Sequence, residues 1–238
     1  MELTVLGKYG PFPPKNSATS GYLLQTENAN VILDMGAGTL ARLREKISVE
    51  DISFLILSNL HFDHISDMGV LSYALAFSKR KEKLNVYLPN FDCKALETLK
   101  SISEFNLIFI EEGKLYKEGE VEFCFYKMTH PVLCYGVKLR CNDKVFAYTG
   151  DTTVNDNIKS LVSGASVALC DGAFLQRDFV GVKPHMSVAQ AVGVTELFDG
   201  RVIVTHIGEG YNDCEVSDEI FSLSNRAELA VEGKTYKI

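Results

Sequence analysis

The chain has no two cysteines at CxxC spacing, no apolar run of bilayer length and no excess of positive charge. Each absence narrows the reading. The six cysteines stand apart, several in apolar surroundings such as Ala168-Leu169-Cys170, and read as reduced thiols rather than a disulfide framework. A membrane-spanning helix needs about 20 consecutive apolar residues, so none is expected and no membrane partner is implied. Glu2 leads at once into a strand pattern, unlike a signal peptide. A cytoplasmic protein is the expectation. A net charge of −7 argues against a broad nucleic-acid-binding face. The one basic run, Lys79-Arg80-Lys81-Glu82-Lys83, reads as a solvated helix end or loop. Low-complexity linkers and charge breaks are also missing, so residues 1–238 are expected to form a single domain.

What is present is ordinary in bulk and informative in order. Hydrophobic residues make up 46% and charged residues 23%, the balance of a globular chain. Strand patterns fall at residues 2–7, 21–25, 30–34, 52–57 and 85–88, with helices at 39–46, 70–77 and 93–101. From 107 the chain turns to β-structure at 107–110, 115–117, 121–128, 134–141 and 144–149, the last two joined by a tight hairpin at Asn142-Asp143. Helices at 154–163, 188–198 and 217–229 alternate with strands at 167–170 and 202–205, and a short strand at 234–236 finishes the chain. Residues 8–20, rich in Pro, Gly and Ser, read as a loop, of which 8–15 are expected to overhang the pocket. Both parts place strands first and helices after, which predicts two similar α/β halves with sheets inside and helices outside.

The chemistry gathers at Ser58-Asn59-Leu60-His61-Phe62-Asp63-His64, directly after strand 52–57. Two imidazoles and a carboxylate within four residues at a strand–helix corner suit a borderline divalent ion. Of only five histidines, His130 and His206 also follow predicted strands, as does Asp151. Any one of them alone reads as a hydrogen-bonded structural residue. If the strand ends meet at one edge, together they form a metal pocket. Asp34 is expected to accept turn amides behind that loop, and Asp67 to sit as a carboxylate at its helix N-terminus.

The order Asp34-Met35-Gly36-Ala37-Gly38, His61-x-Asp63-His64, His130, Gly150-Asp151-Thr152 and Thr205-His206 resembles the metallo-β-lactamase superfamily over essentially the whole chain. Thr129-His130-Pro131, Tyr148-Thr149-Gly150-Asp151-Thr152 and Pro184-His185-Met186-Ser187 are most similar to its tRNase Z-like phosphodiesterase branch. The resemblance implies an α+β four-layer αββα sandwich with two divalent ions at the sheet edge, bridged by Asp151. Asp63, His64 and His206 would hold one ion, His61 and His130 the other. Zinc is the implied metal, with manganese or iron as alternatives. The family pattern is His-x-His-x-Asp-His, and Asn59 stands where the first His belongs. An amide oxygen is a weaker ligand, so the second site is expected to be weak.

Ions so held acidify water and polarise a phosphoryl oxygen, which implies a metal-dependent hydrolase using a bound hydroxide. His185, held by Asp171, is the candidate proton donor to the leaving group, and Asp63 a candidate for orienting the attacking water. Only a hairpin fits between His130 and Asp151, where tRNA-docking relatives carry a long arm. A small or cyclic phosphodiester, or a nucleic-acid end, is therefore the expected substrate, and a homodimer is compatible with it. A thiolester or lactam hydrolase on the same scaffold is the alternative, as is a non-catalytic metal-binding protein, given Asn59. A flavodiiron-type oxidoreductase would need a Glu where His61 stands.

Overall fold

A computed structural model describes residues 1–238. The first half supplies strands β1 (Glu2–Gly7), β2 (Tyr9–Gly10), β3 (Gly21–Gln25), β4 (Asn30–Met35), β5 (Phe54–Ile56), β6 (Leu84–Leu88) and β7 (Phe105–Phe109). Helices α1 (Thr39–Leu43), α2 (Phe62–Ile65), α3 (Met68–Ala76) and α4 (Lys94–Lys100) lie between them. The second half supplies β8 (Leu115–Glu118), β9 (Val121–Met128), β10 (Cys134–Cys141), β11 (Lys144–Tyr148) and β12 (Val167–Asp171). It continues with β13 (Arg201–Thr205), β14 (Ile207–Gly208), β15 (Ala227–Leu229) and β16 (Thr235–Lys237), with helices α5 (Asn157–Val162), α6 (Val188–Gly193) and α7 (Asp213–Leu223).

Strand alternation explains the layering. In β4, Val31 and Leu33 enter the core between the sheets, while Ile32 packs under α1, α3 and α4. In β11, Phe146 and Tyr148 face inward and Val145 and Ala147 face α5 and α6. A side chain reverses face at each residue of a strand, so a strand apolar at every position must be covered on both sides. Two seven-stranded sheets result, in the orders β16-β1-β3-β4-β5-β6-β7 and β15-β13-β12-β11-β10-β9-β8. Each joins an antiparallel portion to a parallel one: β4 to β7 run parallel in the first, and β11, β12, β13 and β15 in the second. This is the expected αββα sandwich of two similar halves. A small parallel pair, β2 with β14, ties the halves together at one edge.

Two local expectations need correction. The last long helix is α7 at Asp213–Leu223, not 217–229. Asn212 accepts the Glu215 N–H and starts the helix early, and Ser224 is already extended. The residues beyond it form β15, whose parallel pairing with β13 outweighs their helical pattern. Residues 8–20 are not a bare loop, for they contain β2 and bury Lys8, whose ammonium meets Asp213 at 2.6 Å. Asp67 does stand at the N-terminus of α3 as expected, with its carboxylate turned to accept the Leu40 N–H of α1 at 2.8 Å.

Phe123 joins the two sheets. It stacks on Phe54 of the opposite sheet at 5.0 Å between ring centroids and meets Tyr87 edge-on at 4.9 Å. With Phe123 buried among aromatic rings that cannot collapse into the gap, Phe123→Ala is expected to cost about 3–5 kcal/mol in urea unfolding. A loss under about 1 kcal/mol would show that the core repacks.

Candidate metal centre

The site lies where strands of both sheets end. His61, Asp63 and His64 belong to the turn and first residues of α2 after β5; His130 follows β9; Asp151 follows β11; Asp171 ends β12; His206 separates β13 from β14. His185 precedes α6, whose start is fixed by a capping box. Ser187 Oγ accepts the Gln190 N–H and Gln190 Oε1 accepts the Ser187 N–H, each at 3.1 Å. These eight residues meet at this edge, and Asn59, the ninth singled out in the sequence, lies in the turn before His61.

Two donor groups share one carboxylate. The ligand atoms of Asp63, His64, Asp151 and His206 lie within 4.8 Å of one another, as do those of His61, His130 and Asp151. His64 Nε2 is 3.1 Å from Asp151 Oδ2 and 3.5 Å from Asp63 Oδ2. His206 approaches Asp63 Oδ2 at 3.7 Å and Asp151 Oδ1 at 3.4 Å. His130 Nε2 is 3.2 Å from His61 Nδ1 and 3.6 Å from Asp151 Oδ2.

Three of these imidazoles have one nitrogen tied from behind, which points the other at the centre. His64 Nδ1 meets Asp34 Oδ2 at 2.8 Å, His130 Nδ1 meets the Pro184 carbonyl at 3.1 Å, and His206 Nδ1 meets Ser20 Oγ at 3.0 Å. Asp34 earns this position through a β-bulge: Gly21 and Tyr22 of β3 pair with Met35 and Leu33, leaving Asp34 between them at φ +58°. The bulge turns its carboxylate toward the site, where it also accepts from Ser58 N–H (2.7 Å), Ser58 Oγ (2.8 Å) and Tyr148 OH (2.7 Å). The expectation that Asp34 accepts turn amides is met, and its bond to His64 adds a link the sequence did not reveal.

The charge balance around these donors calls for a cation. Burial would lower the His64 pKa, but Asp151 and Asp34 hold it well above the usual imidazole value. Burial would raise Asp151, yet His206 and His64 keep it well below the usual carboxylate range. His61 and His130 are pushed down by burial, toward the neutral form that ligates. His64 Nε2 and Asp151 Oδ1 are buried with no hydrogen-bond partner. An orphaned buried polar atom costs roughly 1–3 kcal/mol, and two at one convergence point fit a bound divalent ion.

Asn59 is placed otherwise than expected. Its Oδ1 accepts the His61 N–H at 2.8 Å, and its Nδ2 faces Asp151 Oδ2 at 3.3 Å. The backbone donor fixes the amide orientation, so the oxygen expected at an ion is spent within the loop. Ser20, Ser58 and Tyr148 were not anticipated at all, since each partner lies far away in sequence.

A cavity of about 680 Å³ opens onto the donors. Its walls include Phe62, Phe174, Pro11 and Pro184, with His185 Nδ1 held at 2.8 Å from Asp171 Oδ2. Asp171 is itself fixed by the Thr152 N–H at 2.9 Å.

A family model described as the beta-lactamase superfamily domain matches residues 29–207. The chain is 27% identical over 212 residues to the probable metallo-hydrolase YhfI of Bacillus subtilis, which covers 87% of each. The crystal structure of the Bacillus protein matches 99% of this chain and 98% of its own, with a TM-score of 0.92 at 24% identity. Ribonuclease BN of Proteus mirabilis is 26% identical over 254 residues, covering all of this chain and 77% of that one. The short form of human tRNase Z shares the fold at a TM-score of 0.79 and 16% identity, covering 100% and 99% of the two chains. The chain belongs to the β-lactamase superfamily, and its site carries the donor set of a metallo-hydrolase.

The backing of His64 is testable. Asp34→Asn keeps the shape and removes the charge behind the imidazole. Zinc affinity, measured by chelator competition, is expected to fall about 10–100-fold. Unchanged affinity in a folded variant would show that Asp34 holds the loop alone.

Proposed function

We propose that the chain is a metal-dependent phosphodiesterase acting on a small or cyclic phosphodiester or a nucleic-acid end. The observation that carries this reading is His185, which lines the same cavity as the two donor groups and is backed at 2.8 Å by the buried Asp171 carboxylate. Asp63, His64, Asp151 and His206 would hold one ion, and His61, His130 and Asp151 the other. Zinc suits the imidazole–carboxylate set, and manganese or iron also fit. When bound, such ions acidify water and neutralise charge on phosphoryl oxygens.

The residues of the chain account for the remainder. In-line attack by water, whose proton is released to solvent, forms one P–O bond while the bond to the leaving oxygen breaks. That oxygen needs a proton, and His185 is placed to give it from Nε2, because Nδ1 is engaged by Asp171. Burial pushes the His185 imidazole down, but Asp171 and then Asp151 raise it to about 9, the direction that favours the protonated form a donor needs. A thiolester hydrolase on the same scaffold expels a thiolate and has little use for such a donor. This distinction supports the phosphodiester reading.

Two outcomes check it. Hydrolysis of bis(p-nitrophenyl) phosphate is expected from metal-loaded protein, abolished by chelator and in His64→Ala; stoichiometric metal without turnover of any diester would refute the proposal. His185→Ala is expected to retain its metal and lose about 10²–10⁴ in kcat on a diester with an alkyl leaving group. The loss should be much smaller with a p-nitrophenyl leaving group, which departs without a proton. Equal losses on both would remove His185 from the acid role.

A further inference from the structure

The composition of the cavity wall goes further than the ions do. Phe62 opens α2 beside the donors and is 73% exposed, packing on little of the fold. Phe174 faces the same cavity, half-buried and held by Lys183 Nζ at 4.9 Å from its ring and by Phe179 at 6.5 Å. Pro11, Pro131 and Pro184 complete the apolar lining, and no lysine or arginine contributes to it. Its volume of about 680 Å³ lies within the range of small-molecule sites.

These features disfavour a polyanion. Proteins that hold nucleic acid gain much of their affinity by neutralising several phosphates with Lys and Arg. Here the cationic groups at the cavity are imidazoles, the ions they would hold and the single Lys183 ammonium on the Phe174 ring, enough for one phosphoryl centre. The exposed ring of Phe62 and the half-buried ring of Phe174 beside that centre instead suit a flat ring. Resting on the phosphodiesterase reading, we infer that Phe62 and Phe174 are specificity-determining walls, and that the substrate is a small, singly charged phosphodiester bearing an aromatic or heteroaromatic group.

The test compares p-nitrophenyl phenyl phosphate with p-nitrophenyl methyl phosphate on zinc-loaded protein. Both release the same leaving group and differ only in the retained one. The phenyl ester is expected to have the higher kcat/KM, mainly through KM. Phe62→Ala and Phe174→Ala are expected to cut the phenyl-to-methyl ratio about tenfold each, the worth of one stacked ring. Phe62→Tyr should keep the ratio. Because Phe62 is exposed, its variants are expected to melt with the parent, so a changed ratio cannot be ascribed to unfolding. A ratio unmoved in both alanine variants overturns the inference while leaving the phosphodiesterase reading intact. So does a single-stranded oligonucleotide cleaved with higher kcat/KM than the phenyl ester. Parent protein inactive on both small diesters overturns the phosphodiesterase reading itself.

Discussion

A single buried carboxylate holds the site to the fold. Asp34 is fully buried and meets four polar groups, from the loop after β5, from His64 and from Tyr148 across the core. An unpaired carboxylate there would be prohibitive, so it persists only while its donors stay in place. Each bond to a charged group is worth roughly 1.5–3 kcal/mol, and removing one partner of a buried pair costs about 3–5 kcal/mol. Tyr148 belongs to the second sheet and Asp34 to the first, so this interaction also fixes the two sheets at the distance where His64 meets Asp151.

The opposite side of the centre is assembled in the same manner. His206 has φ +59°, a left-handed conformation that costs a non-glycine residue roughly 1–2 kcal/mol. The strain is balanced by contacts from the first half: Ser20 Oγ on His206 Nδ1, Tyr22 OH on Thr205 at 2.8 Å, and the β2–β14 pairing. Gly10 in β2 leaves room for the imidazole, since a Cβ there would lie 2.2 Å from the ring. Asp34 and His206 are thus both strained, both buried, and both bound to partners from the other half. Strain concentrated at such a convergence point marks where the fold has been shaped to present donors.

Much of this was legible in the chain, and the boundary has a physical cause. Period-two alternation is local, so β1, β9 and β10 could be read to their end residues. The donors could be read too, because five histidines among 238 residues gain meaning when four fall at strand ends or in the motif. What could not be read depends on pairing between distant segments. The bulge that aims Asp34 exists only in the register of β3 against β4, and Ser20 reaches His206 only once the halves meet. β15 is a strand because β13 offers it an edge, although its own residues continue a helical pattern. Asp67 serves α1, since Leu40 rather than its own first turn presents the free N–H.

Asn59 shows how one replacement distributes its effect. An imidazole at that position would offer a lone pair to the second donor group. The amide instead spends its oxygen on the His61 N–H and turns its nitrogen toward Asp151 Oδ2. It therefore steadies two candidate ligands from within the loop. The group of His61, His130 and Asp151 is left with three protein donors, the number found at catalytic zinc sites that keep a position open, whereas Asp63, His64, Asp151 and His206 make the closed set of four. The three-donor group stands beside the cavity that Phe62 and Phe174 line. His61 and His130 are less buried than the four-donor group, so an ion held there would be the more open of the two to water and substrate.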